Sequence, residues 1–203
     1  MTAFAELVHR TEALLARGGR VLGIAGPPGS GKSTLAERLV DHFGARAELL
    51  PMDGFHFAQE ELLRSGSAHR KGAPDTFDVA GYVATLTRVR ARAHDVLAPR
   101  FHRDIEEPVA GAIRISVACE LVVTEGNYLL LPTHGWRAVA PLLDECWFLR
   151  PDDDVRIARL VARHEAHGRS PADARAWVRD VDEPNARLVA AHPGPAHLVV
   201  DPG

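Results

Sequence analysis

The sequence predicts an α/β fold in which helices flank a mainly parallel sheet. Short apolar runs typical of buried strands alternate along the chain with segments whose apolar residues recur at helical spacing. A glycine-rich stretch at residues 26–31 follows the first apolar run and precedes a helical pattern. Asp53 and Glu125 stand at the ends of two further apolar runs. In parallel sheets, ligands bind beyond the carboxyl ends of the strands.

Each element has its own sequence signal. The amphipathic segment 1–19 predicts an N-terminal helix that ends at two glycines. Short apolar runs predict strands at residues 20–26, 47–52, 113–117, 121–124, 146–149 and 197–200. Helical periodicity predicts helices at residues 32–43, 82–93, 152–167 and 171–181. The polar residues 58–78 indicate a turn-rich connection.

The composition is that of an ordinary globular protein and argues against several functions. The 203 residues carry a net charge of −3, which gives no support for sequence-independent binding of nucleic acid. Two distant cysteines, Cys119 and Cys146, fit a reducing compartment and do not form a disulfide framework. No apolar run approaches the roughly 20 residues of a membrane helix. We therefore expect one cytoplasmic domain over residues 1–203, with no membrane partner.

Residues 26–33 match G-x-x-x-x-G-K-[ST], the pattern of a phosphate-binding loop. Glycines let backbone N–H groups surround phosphate oxygens, and the following helix directs its positive end at the same anion. Lys32 supplies a mobile charge to the phosphates, and Ser33 offers a hydroxyl to Mg²⁺. The predicted nucleotide-binding residues are Gly26, Pro27, Pro28, Gly29, Ser30, Gly31, Lys32, Ser33 and Thr34.

Because the chain contains so few lysines, some classes of P-loop protein can be excluded. Lys32 and Lys71 are the only lysines among 24 basic residues, and Lys71 lies in Arg-Lys-Gly. An N-K-x-D motif for reading guanine is therefore absent, which excludes a GTPase. No L-S-G-G-Q-like segment indicates a transporter ATPase. A small phosphotransferase is the leading class.

Four motifs resemble those of the uridine kinase, phosphoribulokinase and type I pantothenate kinase superfamily. They are residues 52–56 (MDGFH), 70–78 (RKGAPDTFD), 99–103 (PRFHR) and 125–128 (EGNY). The likeness is strongest to a bacterial branch labelled nucleoside/nucleotide kinase-like or fructose transport system kinase-like. The resemblance implies a P-loop NTPase fold with a helical lid at about residues 152–182, a substrate-binding segment at about residues 54–80, and ATP-dependent phosphorylation of a hydroxyl.

The resemblance also implies roles for the acidic strand ends and the lid. Asp53 matches the family's carboxylate near the acceptor hydroxyl, where it would accept the proton. Glu125 matches a second acidic position that binds Mg²⁺ or substrate. Arg163 and Arg169 are the predicted lid arginines that close on the transferred phosphoryl group. Arg156 is interpreted as part of a solvated helix face.

The predicted acceptor site combines charged, polar and aromatic side chains. Its predicted members are Asp53, His56, Arg70, Lys71, Asp75, Phe77, Tyr82, His102, Glu125 and Asn127. A nucleoside would stack on aromatic residues, for which Phe55, Phe57, Phe77 and Tyr82 are candidates. A sugar would use the polar members instead.

The acceptor stays open between a sugar, a nucleoside and a pantothenate-like alcohol. Two other functions also fit the sequence. One is a nucleoside monophosphate kinase, in which the extra cations hold a second phosphate. The other is a P-loop regulator with slow ATP hydrolysis and no second ligand. The resemblance further suggests a homodimer, because relatives often dimerise.

Overall fold

The structure is a computed structural model that describes residues 2–202. Within them the strands are β1 (Val21–Ala25), β2 (Ala47–Pro51), β3 (Val96–His102), β4 (Glu107–Ile115), β5 (Leu121–Gly126), β6 (Glu145–Leu149) and β7 (Leu198–Val200). The α-helices are α1 (Phe4–Ala16), α2 (Lys32–Phe43), α3 (Gln59–Arg64), α4 (Val79–Ala91), α5 (Asp153–Ala166), α6 (Pro171–Trp177) and α7 (Glu183–Ala191). Residues 1 and 203, which belong to the predicted domain, lie outside the described part.

Five strands form a parallel sheet in the order β2–β5–β1–β6–β7. Every residue of β1, β5 and β6 is buried, because layers of structure cover both faces of the sheet. The predicted α/β fold with a mainly parallel sheet is confirmed. The carboxyl ends of β2, β5 and β1 consequently meet at one edge, where Pro51 pairs with Glu125 and Glu125 with Ile24.

The side chains of β1 point alternately to the two faces of the sheet, and each face is covered by its own layer of the core. Leu22 and Ile24 pack with α1 and α2, through residues such as Leu14 and Leu39. Val21 and Ala25 face the other layer, which contains Tyr82, Leu86 and Val89 of α4 together with the connection between β5 and β6. Side chains on a strand alternate between faces, so one short apolar run supports both layers.

The hairpin of β3 and β4 stands outside the main sheet. The prediction of a strand at residues 113–117 located the end of β4, and β3 was missed. β3 was difficult to predict because it contains Pro99, which lacks an amide donor. The strand accommodates Pro99 at an irregularity of the register between Ala98 and Arg100.

The region predicted as a lid, about residues 152–182, contains α5 and α6. Asp152 caps α5 by accepting from the amides of Asp154 and Val155, and Ser170 caps α6. A π-helical turn, Val178–Asp182, joins α6 to α7. The helix α7 was not predicted, nor was α3 within the polar connection 58–78.

Arg156 on α5 is buried, so its interpretation as a solvated residue is wrong. Its side chain is 2% exposed. The guanidinium bonds to Asp153 at 3.0 Å and to Glu183 of α7, and Nη1 lies 3.5 Å from the carbonyl oxygen of Pro28. These partners satisfy a charge that burial would otherwise make costly.

None of the helices within residues 2–202 combines the length and the apolar character that crossing a membrane requires.

Candidate active site

The loop between β1 and α2 has the backbone form of an anion site. Gly29 and Gly31 adopt φ values of +78° and +86°, in the left-handed region that favours glycine. A Cβ at Gly29 would lie 2.9 Å from the carbonyl oxygen of Arg156. α2 begins at Lys32, so its free amide groups and positive dipole end adjoin the loop.

Lys32 is held inside this loop. Its Nζ donates to the carbonyl oxygen of Pro27 at 2.9 Å and to the Ser30 hydroxyl at 3.4 Å. Burial lowers the pKa of Lys32, while the nearby Glu125 and Asp53 carboxylates oppose the shift. A phosphate bound at the loop would favour the charged ammonium and so gain affinity from it.

Two carboxylates face the loop from neighbouring strand ends. Glu125 lies at the end of β5 and accepts a hydrogen bond from the Ser33 hydroxyl at 3.2 Å. Asp53 follows β2 and lies in the same cavity. Burial raises the pKa of Glu125, and the charge of Asp53 raises it further. A cation bound between these oxygen atoms would relieve that cost.

A cavity of about 900 Å³ joins the phosphate loop, the strand ends and the lid. The structure brings eight of the residues predicted outside the loop to this cavity: Asp53, His56, Lys71, Phe77, Glu125, Asn127, Arg163 and Arg169. The loop residues from Pro28 to Thr34 line it as well. Their chemical roles remain predictions.

One side of the cavity is the hairpin wall, which we define as Lys71, Phe101, Arg103 and Glu106. Lys71 Nζ donates to the backbone oxygen of Glu106 at 2.6 Å and lies 5.2 Å from the centre of the Phe101 ring. Arg103 Nη2 lies 3.4 Å from Asp53 Oδ2. The wall therefore adjoins the carboxylate that follows β2.

His56 connects the hairpin wall to the core. Its ring packs against Phe77 and Phe101, with ring centres 4.0 and 5.0 Å away. Its Nδ1 donates to the carbonyl oxygen of Asp53 at 2.8 Å. Burial lowers the pKa of His56, which favours the neutral ring.

The region predicted as a lid contributes cations to the same cavity. Arg159, Arg163 and Arg169 line it together with Trp177. The Arg169 guanidinium lies 4.0 Å from the centre of the Trp177 ring. His164 and Asp182 bond to each other at 2.7 Å and tie α5 to the π-helical turn.

Comparisons with known proteins identify the family. A Schizosaccharomyces pombe protein provisionally named a uridine kinase is 36% identical over 180 residues, which cover 83% of this chain and 76% of that protein. The chain belongs to the uridine kinase and pantothenate kinase superfamily of P-loop kinases. It is an ATP-dependent small-molecule kinase. No protein-family model matches it.

Two further similarities agree with this family. The crystal structure of a Silicibacter protein, provisionally assigned as a fructose transport system kinase, superposes with a TM-score of 0.87 at 34% identity. That match covers 98% of this chain and 100% of the other. A pantothenate kinase of Levilactobacillus brevis is 31% identical over 147 residues, covering 64% of this kinase and 48% of the relative.

Four residues predicted for the acceptor site lie outside the cavity. Arg70 and Asp75 form an ion pair with each other at the surface. Tyr82 is buried in the core, where its hydroxyl bonds to Thr124. His102 is half-exposed, and its Nδ1 lies 3.9 Å from Asp104. Each of the four packs or pairs away from the residues that line the cavity.

Sequence reasoning missed several residues that line the cavity. They include Gln59, Phe101, Arg103, Glu106, Arg159 and Trp177. Phe101 and Arg103 belong to the PRFHR motif, from which only His102 was selected. Successive side chains of a strand point to opposite faces, so Phe101 and His102 of β3 face different sides. Arg103 lies in the turn that follows β3, where no strand pattern indicates its direction.

Proposed function

We propose that this kinase transfers the γ-phosphoryl group of ATP to a hydroxyl of a small molecule bound between Asp53 and the hairpin wall. The location of Asp53 supports this proposal. It follows β2, the strand two positions from β1 in the sheet, and it shares one cavity with the phosphate loop. An acceptor at Asp53 would therefore share one cavity with the phosphates.

In the proposed reaction, the acceptor oxygen attacks the γ-phosphorus while the bond to the β–γ bridging oxygen breaks. Asp53 accepts the hydroxyl proton, and ADP leaves with the bridging oxygen. Arg103, 3.4 Å from the Asp53 carboxylate, orients that carboxylate. Lys32 stabilises the charge that develops on the phosphoryl oxygens.

The residues at the strand ends suit a magnesium ion. Ser33 and Glu125 present hard oxygen ligands 3.2 Å apart beside the loop. Residues 2–202 contain no group of three or more His, Cys, Asp or Glu side chains that could hold a metal. Mg²⁺ typically binds through one or two carboxylates plus substrate phosphates, so this sparse set fits it. When bound, the ion neutralises phosphate charge.

The lid completes the proposed site. Arg163 and Arg169 line the cavity from α5 and from the turn that follows it. During transfer, negative charge is distributed over the oxygen atoms of the phosphoryl group. Guanidinium groups suit this charge because they donate several hydrogen bonds in one plane. Packing of Arg169 on Trp177 gives one of these groups a defined direction.

Substituting Asp53 tests the proposal. Asp53→Asn should retain ATP binding and lose acceptor-stimulated ADP formation by about 10²–10⁴-fold, the usual contribution of a general base. ATP affinity would be measured by titration and turnover with a panel of hydroxyl compounds. The matched control is Asp41→Asn, which changes an exposed carboxylate on α2. Near-normal turnover of Asp53→Asn would remove Asp53 from the mechanism.

The same assay tests the two alternatives. A nucleoside monophosphate kinase would be stimulated most by nucleoside monophosphates. A P-loop regulator would hydrolyse ATP slowly and show no stimulation by any acceptor. The polar hairpin wall, with two cations and a carboxylate beside Asp53, favours a second ligand over the regulator.

A further inference from the structure

The geometry of the hairpin wall points to a compact, non-aromatic polyhydroxy acceptor, a small sugar or sugar acid. This inference rests on the proposed phosphotransfer function and narrows its substrate class. It depends on two observations about the cavity. The aromatic rings there are engaged by other side chains, and the polar groups converge from separate segments.

The rings lining the cavity offer poor platforms for a nucleobase. Phe77 is 4% exposed, and its ring packs on His56. Phe101 contacts His56 and carries the Lys71 ammonium over its ring. Trp177 carries the Arg169 guanidinium. Stacking contributes about 1–3 kcal/mol per base in nucleic-acid sites, and a nucleoside here would lack most of it.

The other aromatic candidates for stacking are also unsuited. Phe55 and Tyr82 are buried in the core and pack against each other, with ring centres 4.9 Å apart. Phe57 is not among the residues that line the cavity. Phe55, Phe77 and Tyr82 therefore belong to the core and Phe57 lies away from the cavity lining, so these four rings give no support for a nucleoside.

The polar lining suits a molecule with several hydroxyl groups. Six polar side chains from distant parts of the sequence line the same cavity: Asp53, Gln59, Lys71, Arg103, Glu106 and Asn127. A hydroxyl both donates and accepts hydrogen bonds, so it can pair with carboxylates, amides and cations alike. A polyol would satisfy many of these groups at once.

Two contacts hold the wall close to Asp53. A Cβ at Gly54 would collide with the carbonyl oxygen of Pro99, so β3 packs directly on the turn that carries Asp53. The bond from Lys71 to the Glu106 backbone links segments 35 residues apart. Because both contacts restrain the wall, the space beside Asp53 suits a short acceptor.

An acceptor screen with the full chain tests this inference. ADP formation from ATP and Mg²⁺ would be measured with small sugars and sugar acids, nucleosides, pantothenate-type alcohols and nucleoside monophosphates. We expect the highest kcat/KM in the first group. The highest kcat/KM in any other group would overturn the inference and leave phosphotransfer intact. No stimulation by any group would overturn the proposed function itself, and the inference with it.

Substituting two neighbouring cations, Lys71 in the wall and Arg70 outside the cavity, tests the role of the wall. Lys71→Ala should raise the KM of the best acceptor about 10- to 100-fold, the expected loss for a hydrogen bond to a charged group. The control is Arg70→Ala, which removes the adjacent cation outside the cavity and should change that KM less than about twofold. Arg103→Ala, which removes a half-exposed side chain of the wall, should also raise that KM. Equal effects of Lys71→Ala and Arg70→Ala would overturn the inference.

Discussion

The phosphate loop and the hairpin wall are built from opposite kinds of structure. The loop is one continuous segment, residues 26–33, whose backbone conformation provides the site. The wall is built from the side chains of Lys71, Phe101, Arg103 and Glu106, and tertiary contacts bring Lys71 to the other three. A backbone site therefore depends on glycine at a few positions, whereas a side-chain site can change its specificity residue by residue.

This difference predicts where substitutions do most harm. In the loop, any side chain at a left-handed glycine adds strain whatever its chemistry. In the wall, the substituted group itself determines the loss. Variants of the loop glycines are therefore expected to lose ATP affinity whichever side chain is introduced.

Gly29→Ala should have the largest effect of these variants. The position has φ +78°, and a Cβ would lie 2.9 Å from the Arg156 carbonyl oxygen and 2.8 Å from Leu160 Cγ. Strain of about 1–3 kcal/mol would weaken ATP binding by up to about 100-fold if the loop must move to relieve it. Equilibrium titration with ATP measures this loss.

Gly66→Ala is the matched control for the loop glycine. Gly66 also has a positive φ, +69°, but a Cβ added there would meet no atom within 4 Å. It lies outside the residues that line the cavity. The control should cost stability and leave ATP affinity unchanged. Similar ATP affinities of the two variants would show that the loop tolerates a side chain.

The same contrast explains what the sequence could predict. The loop, both acidic strand ends and the parallel sheet depend on local patterns, and the predicted helix at residues 32–43 has the bounds of α2. Phe101 was missed because its strand, β3, contains Pro99, and Arg103 and Glu106 were missed because they lie in the turn between β3 and β4. Tyr82 looked like a ligand contact because a sequence motif does not reveal which face of a helix packs inward.

Arg156, in the predicted lid, is another residue whose environment the sequence pattern did not reveal. Its spacing with Arg159 and Arg163 suggested one solvated face, but the close approach of Gly29 places α5 against the phosphate loop. The resulting contact buries the guanidinium between Asp153, Glu183 and the Pro28 carbonyl. No local pattern in the sequence encodes a contact over 128 residues of chain separation.

Arg156→Met tests whether this contact supports the loop. The change keeps much of the side-chain volume and removes the hydrogen bonds, so we expect the free energy of unfolding to fall by about 1.5–3 kcal/mol. We also expect a higher KM for ATP, because Arg156 links the loop to α5 and α7. Denaturant unfolding and steady-state kinetics measure the two effects.

Arg179→Met is the control for this variant. Arg179 pairs with Asp180 on the surface, with both side chains mostly exposed. Exposed ion pairs contribute about 0–1 kcal/mol, so this variant should change stability little and the KM for ATP not at all. If both variants behaved alike, the buried contact would have no special role in the loop.

The smallest effect is expected at His56, where the hairpin wall meets the core. Burial holds the pKa of His56 below its ordinary value of 6.5. As the pH falls through 6.5, the unfolded chain takes up a proton at this position before the folded chain does, so stability decreases. Above 6.5 both states are neutral and His56 contributes no pH dependence.

His56→Phe should therefore reduce the acid sensitivity of the fold. Phenylalanine keeps the ring packing against Phe77 and Phe101 but cannot titrate. Denaturant unfolding at pH 7.5 and pH 5.5 would show a smaller decrease in stability for the variant than for the natural chain. Other groups titrate in the same range in both proteins, so their contributions cancel in the difference. An equal decrease would mean that the ring takes up its proton as readily in the folded wall as in the unfolded chain.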